Sequence, residues 1–204
     1  MISVALVDDH PIVREGLRGI LSADKDIAVV ADAGDSSGAV EIARSKRADV
    51  MLLDLSLPGR GGFTLLQRLL DEAPSMRIVV LSMYDPETHK ARALALGASD
   101  YLTKGSSAVE IVGCIKRAAA APQPRRTKRA EDSLHANLST RQYDVLMELV
   151  AGKSVTDIAE QLNLSVKTVS THKVAVQRRL GVGSIVDLVN YANTHALVPR
   201  PEVE

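Results

Sequence analysis

Asp8 and Asp9, Asp54, Ser82 and Lys104 each stand at the end of a short apolar run in this 204-residue chain. Carboxylate oxygens are hard ligands for Mg2+, a hydroxyl donates hydrogen bonds, and an ammonium group is a compact point charge for an anion. If the five side chains meet, they make a metal and phosphate pocket in outline. Three carboxylates in one cleft repel one another, so a divalent cation or Lys104 must offset them, and a purely structural role would be costly. Asp54 carries the most information. It ends the run Val50-Met-Leu-Leu and is followed by Leu-Ser-Leu-Pro58-Gly59, the pattern of a strand buried on both faces that closes in a tight turn.

The elements that must position these groups follow from the pattern on either side of them. Residues 4–7 are an apolar strand, and Pro11 then opens a helical spacing of Ile12, Leu17, Ile20 and Leu21. The alternation repeats, with strands over 27–31, 50–54, 78–81 and 101–102 and helices over 40–44, 63–70 and 87–96, the last stopped by Gly97. Ser107 and Glu110 have the spacing of a capping box that opens a fifth helix, which fades into the alanines at 118–121. Five strands alternating with five helices predict an α/β domain with a five-stranded, parallel, doubly wound sheet. In such sheets ligands sit beyond the carboxyl ends of the strands, where all five polar groups fall.

Residues 122–137, beginning Pro-Gln-Pro-Arg-Arg, lack apolar periodicity and are expected to form a linker. No strand pattern follows. Ser139 and Gln142 space as a capping box before Val145, Leu146, Leu149 and Val150, and Ser154 with Asp157 starts a short helix containing Ile158, Ala159 and Leu162. Asn163 and Leu164 make a turn, Ser165 caps a longer helix, and Ile185, Leu188, Val189 and Ala192 line a fourth. Short helices need a shared core, so residues 138–204 are expected to form one small all-α, four-helix domain.

On the helix opened by Ser165, Val166, Val169, Val176 and Leu180 fall in one stripe, while Lys167, Thr171, Val174 and Arg178 fall on the opposite one. Lys173 sits at the edge of the apolar stripe and is expected to snorkel toward a phosphate. A short helix, a turn and a longer helix with a basic outer face predict a helix-turn-helix whose second helix enters the major groove. The net charge of zero conceals an uneven layout. Residues 1–121 hold 14 Lys/Arg against 16 Asp/Glu, and 122–204 hold 11 against 9. More telling are the acid-free basic clusters at 125–129 and 165–180, which suit a phosphate backbone. The single cysteine, Cys114, cannot pair within the chain, and no run approaches the roughly 18 apolar residues of a membrane span. A cytoplasmic protein is expected, neither exported nor inserted.

Four motifs in order, Val7-Asp8-Asp9-His10-Pro11, Leu53-Asp54-Leu-Ser-Leu-Pro58-Gly59, Leu81-Ser82-Met-Tyr84 and Gly97-Ala-Ser-Asp-Tyr101-Leu-Thr-Lys104, resemble the receiver domain of two-component response regulators over residues 1–121. The resemblance implies a flavodoxin-like fold with Asp54 as phosphoacceptor and Asp8 and Asp9 as metal-site acids for Mg2+. It further implies Ser82 and Lys104 as phosphoryl ligands, and Tyr101 as a switch whose rotamer reports the modified state. Leu138-Ser-Thr-Arg-Gln-Tyr-Asp-Val-Leu146, Ile158-Ala-Glu-Gln-Leu-Asn-Leu-Ser165, Lys167-Thr-Val-Ser-Thr-His172 and Arg179-Leu-Gly-Val182 resemble the LuxR-type module, and together the halves resemble the NarL/FixJ transcriptional regulators. That likeness places Lys167, Thr168 and Lys173 against phosphates and Ser170, Thr171 and Val174 against base edges of promoter DNA. It also implies a cognate sensor histidine kinase, and a homodimer formed through the receiver and the helix from Ser184 to His195.

Rival readings meet specific obstacles. An aspartyl-nucleophile phosphatase of the haloacid-dehalogenase kind needs a second Asp two residues beyond the nucleophile, where this chain has Ser56. The Ser56 backbone carbonyl remains available as a metal ligand, but no general acid is offered. Gly59-Arg-Gly-Gly62 lacks the spacing of a dinucleotide-binding turn. A phosphorelay receiver that acts without DNA leaves residues 138–195 without a purpose.

Overall fold

Alternate residues of the central strands are buried on opposite sides of one sheet. In β3 (Val50–Leu53), Val50 and Leu52 join one apolar cluster and Met51 and Leu53 the other, and none is more than 1% exposed. β1 (Ile2–Val7) and β4 (Arg77–Ser82) divide in the same way, with Val4, Leu6, Val79 and Leu81 on the first side and Ala5, Val7, Ile78 and Val80 on the second. A strand covered on both faces must be apolar throughout, which is why these runs show no polar alternation. The computed structural model describes residues 1–57, 62–83, 86–122, 134–195 and 197. The expected Pro58-Gly59 turn, Tyr84 and most of the expected linker lie outside them.

With β2 (Ile27–Ala33) and β5 (Asp100–Thr103) at the edges, the strand order is β2-β1-β3-β4-β5, and every pairing is parallel. α1 (Pro11–Ser22) and α5 (Ala108–Ala120) cover one face through Leu17, Leu21, Ile111 and Ile115. α2 (Ser36–Ser45), α3 (Gly62–Glu72) and α4 (Pro86–Leu96) cover the other through Val40, Phe63, Leu66, Ala93 and Leu96. This is the doubly wound α/β domain expected from the sequence. The winding reverses between β1 and β3, the crevice where open parallel sheets bind ligands.

A cap extends α2 past its apolar pattern. α2 starts at Ser36, four residues ahead of Val40, because the Asp35 carboxylate accepts the Gly38 N–H at 2.8 Å. The expected box at the start of α5 is present, with Ser107 and Glu110 each bonding the other's backbone N–H.

The chain divides into two compact units, residues 1–136 and 137–204. In the second, α6 (Thr140–Val150), α7 (Val155–Gln161), α8 (Val166–Leu180) and α9 (Ile185–Thr194) share a core that includes Leu138, Leu146, Leu149, Ile158, Val169, Val176 and Leu188. Ser139, Ser154 and Ser184 close capping boxes with Gln142, Asp157 and Asp187, and the Ser165 hydroxyl accepts the Thr168 N–H. Asn163 turns the chain between α7 and α8 in the left-handed region, at φ 54°. Two expectations are corrected. Ile185, expected to line the fourth helix, is 42% exposed as the first residue of α9. Val166 does not belong to the packed stripe: it is 48% exposed, because as the first residue of α8 it precedes the turn that meets the core.

Within the stretch expected to be linker, Leu134–Asn137 forms a 3-10 turn. Arg92 of α4 donates to the His135 carbonyl at 2.9 Å, and its guanidinium lies 4.1 Å from the centre of the Phe63 ring.

Candidate functional site

Strand register brings the acids together. Val7 is paired with Leu53, and the ladder runs one residue further through the Asp54 N–H donating to the Val7 carbonyl at 2.9 Å. Asp8 and Asp54 therefore leave the sheet side by side. On the other flank Ser82 pairs with Thr103, and the Lys104 N–H donates to the Ser82 carbonyl at 2.9 Å. Four residues from four strands thus share one edge because their strands end level.

Lys104 closes the group. Its Nζ lies 2.7 Å from Asp8 Oδ2 and 2.9 Å from Asp54 Oδ2, and the three side chains are at most 9% exposed. Burial works against the ammonium charge, but hydrogen bonds to Asp8 and Asp54 outweigh it and hold the lysine above its usual range. The other Asp54 oxygen, Oδ1, accepts the Ser56 N–H at 2.9 Å, which fixes the carboxylate against the turn after β3. Ser82 is fully buried, and Tyr101, 3% exposed in β5, packs on the face covered by α2, α3 and α4.

Asp9 is more open, with a side chain 31% exposed, but its Oδ1 is buried and, among the described residues, has the His10 ring 2.8 Å away and no well-directed hydrogen bond. Such an atom favours a cation. Single ligand atoms from Asp8, Asp9, His10 and Asp54 all lie within 4.8 Å of one another, a span that one divalent ion can bridge. The residues present therefore fit a metal. His10 and Arg14 are additions that the sequence did not single out. Arg14 Nη1 donates to the Asp8 carbonyl at 2.6 Å while its Nε donates to Asp32 Oδ2 at 3.1 Å, so an α1 side chain ties the β1 corner to β2. A basic residue one turn into the helix after a pair of acids is the available signal, and it is a weak one.

In the second unit, α8 presents Lys167, Thr171, Val174 and Arg178 to solvent, while Thr168, Ser170 and Lys173 are half-buried. Lys173 thus sits at the edge of the packed stripe, as its position implied. Polar capacity on this face is partly committed. The Thr171 hydroxyl donates to the Lys167 carbonyl at 2.9 Å, and the Thr168 and Ser165 hydroxyls lie 2.7 Å apart. His172 is held below its usual pKa by burial and by Arg141, so at neutral pH it adds no cation to the surface. α9 exposes Ile185 and Val186, the latter by 67%.

Comparison with known proteins bears on both units. Residues 4–116 match the response regulator receiver domain, and residues 136–192 match the luxR family of bacterial regulatory proteins. The chain is 32% identical to the response regulator UvrY of Escherichia coli, covering 97% of this chain and 96% of UvrY. It is 36% identical to the Fimbriae Z protein of Salmonella typhimurium, covering 96% and 98%. Among solved structures it is similar to RcsB from Salmonella enterica serovar Typhimurium bound to promoter rprA with the phosphomimetic BeF3−. The TM-score is 0.58 at 29% identity, over 94% of this chain and 98% of that one. Two matched domains in this order, and relatives aligned over nearly their whole length, lead to one conclusion: the chain belongs to the NarL/FixJ family of two-component response regulators, DNA-binding transcriptional regulators that join a receiver to a LuxR-type helix-turn-helix domain.

Proposed function

We propose that Asp54 is the phosphoacceptor through which a sensor histidine kinase controls this cytoplasmic regulator's hold on promoter DNA. The observation that carries the reading is the Lys104 ammonium set between Asp8 and Asp54 at the edge where β1 and β3 part. Asp8, Asp9, Asp54 and the Ser56 carbonyl would hold Mg2+, which when bound neutralises charge on the transferring phosphoryl oxygens.

The chain's own groups supply the rest. The Ser56 N–H orients the Asp54 carboxylate for in-line attack on a phosphohistidine donor. Once Asp54 is an acyl phosphate it carries about one more negative charge and three acceptor oxygens. Lys104 then has a stronger partner than the carboxylate it holds now, and the Ser82 hydroxyl at the end of β4 has an acceptor to follow. A shift of Ser82 toward that acceptor alters the packing around Tyr101, which is already buried before modification, and reshapes the surface of α4 and α5.

In the reader, Lys167, Thr168, Lys173 and Arg178 contact phosphates while Ser170, Thr171 and Val174 face base edges. Val174 can meet a thymine methyl but donates nothing, and Thr171 already spends its proton on Lys167, so DNA shape carries much of the discrimination. Two copies joined through the receiver and α9, where Ile185 and Val186 are exposed, would cover half-sites about one helical turn apart. A coupling of a few kcal/mol is enough to make the DNA-competent form dominant.

The test incubates the protein with Mg2+ and acetyl phosphate, maps the modified residue, and compares retention of promoter DNA before and after. Label on Asp54, lost in Asp54→Asn, and a phosphorylation-dependent change in retention are expected. Labelling that survives Asp54→Asn removes the assignment.

A further inference from the structure

His10 stands at the N-cap of α1 (φ −92°, ψ 109°), yet its side chain makes no capping hydrogen bond. The ring is turned back on the acids. Nδ1 lies 2.8 Å from Asp9 Oδ1 and 3.2 Å from Asp8 Oδ1, while the His10 backbone N–H donates to Asp8 Oδ1 at 2.8 Å. Pro11, at the first helical position, has no N–H to be capped, so the start of α1 makes less demand on the side chain before it. The side chain is 60% exposed, so turning it toward a bound ion costs little desolvation.

The Asp9 oxygen that faces the ring is the buried one with no well-directed hydrogen bond among the described residues, and a His10 ring nitrogen belongs to the set of ligand atoms confined within 4.8 Å. Carboxylates and a carbonyl alone make an all-oxygen site suited to Mg2+. An imidazole nitrogen alters that chemistry, because first-row transition ions gain from a nitrogen donor, Mn2+ the least among them, whereas Mg2+ keeps to oxygen and water.

We infer that His10 sets the metal preference of the pocket by placing Nδ1 on the ion beside the Asp8, Asp9 and Asp54 carboxylates. The pocket then favours Mn2+ over Mg2+ by more than its oxygens alone would provide. The inference rests on the divalent-ion pocket proposed above and adds a nitrogen ligand that this pocket does not otherwise have.

The test uses the full chain and three variants: His10→Ala, His10→Asn and Asp9→Asn. Asparagine is favoured at an N-cap, so His10→Asn preserves the start of α1 while removing the imidazole. Mn2+ and Mg2+ are titrated separately by calorimetry, and the Mn2+ complexes are examined by electron spin echo envelope modulation, which detects a bound imidazole nitrogen. The unaltered protein should show that nitrogen. Both His10 variants should lose it, with Mn2+ affinity falling about tenfold and Mg2+ affinity moving by less than about twofold. The inference is overturned if the native complex lacks the nitrogen signal, if the signal persists in His10→Asn, or if both ions respond alike. Asp9→Asn separates the two readings. If it leaves binding of both ions unchanged, the metal pocket itself is wrong and the inference falls with it. If it abolishes binding while the His10 variants behave as native, only the role of His10 is lost.

Discussion

The ammonium of Lys104 lies 2.9 Å from Asp54 Oδ2 and only 2.7 Å from Asp8 Oδ2, so one cation serves two buried carboxylates that leave neighbouring strands. Removing it leaves like charges side by side without the ammonium that bridges them. Lys104→Met should therefore cost about 3 kcal/mol of stability in metal-free buffer. A divalent ion at about one hundred times its Kd contributes about 2.7 kcal/mol to a form that binds it. Urea denaturation with and without Mg2+ checks the point: the variant should gain more from the ion than the unaltered protein does, and equal gains would mean that lysine and metal do not share the task.

Cys114 offers a test of pH dependence. Burial, reinforced by the nearby Asp100 carboxylate that accepts from its thiol, pushes the cysteine up from 9.0 to about 12. A group whose folded pKa is raised favours the folded state fully below its unfolded pKa, and that contribution is lost as pH rises through the folded value. The window here runs from about pH 9 to about pH 12. At pH 8 the folded chain should resist iodoacetamide while the urea-unfolded chain reacts fast. Equal alkylation rates would contradict the burial.

On α8, Lys167 and Arg178 are exposed and aligned with Thr171 and Val174. Alanine at either cation should weaken binding on all sequences alike and lower the slope of log K against log salt by about 0.9. Val174→Ala should leave the slope unchanged and alter preference at a single base position. Fluorescence anisotropy over a salt series distinguishes the two behaviours. A Lys167→Ala slope equal to that of the unaltered protein would take this face off the phosphate backbone.

Ser139→Ala removes the hydroxyl that accepts the Gln142 N–H at the start of α6, and with it the reciprocal bond that the Ser139 N–H donates to Gln142 Oε1 loses its frame. A loss of about 1 kcal/mol is expected in thermal or urea unfolding of the helical unit. An unchanged midpoint would show that core packing alone fixes the helix end.

Much of this was legible in residue order because strand ends and helix starts announce themselves locally. An apolar run stopped by an acid places Asp54, and Ser107, Ser139, Ser154, Ser165 and Ser184 mark helix starts through bonds that span three residues. Nothing local reveals a contact between distant segments. The Arg14 to Asp32 bond joins a helix to an edge strand, and the Arg92 bond to the His135 carbonyl crosses 43 positions. The direction of the His10 ring is a rotamer set by its surroundings and carries no periodic signal. Val166 was misplaced because helical spacing gives the angle of a side chain but not whether its turn has reached the core.

Arg14 gives Asp32 an importance that its place on an edge strand would not suggest. Because the same guanidinium reaches Asp32 and the main-chain oxygen of Asp8, a double charge reversal, Arg14→Asp with Asp32→Arg, would recreate that one ion pair but set the new arginine against Arg18, which also pairs with Asp32, and still leave that oxygen without its donor. The two positions are thus free to drift only in ways that keep a forked cation on the helix side, and a swap that looks balanced on paper would still loosen the corner from which both leading acids hang.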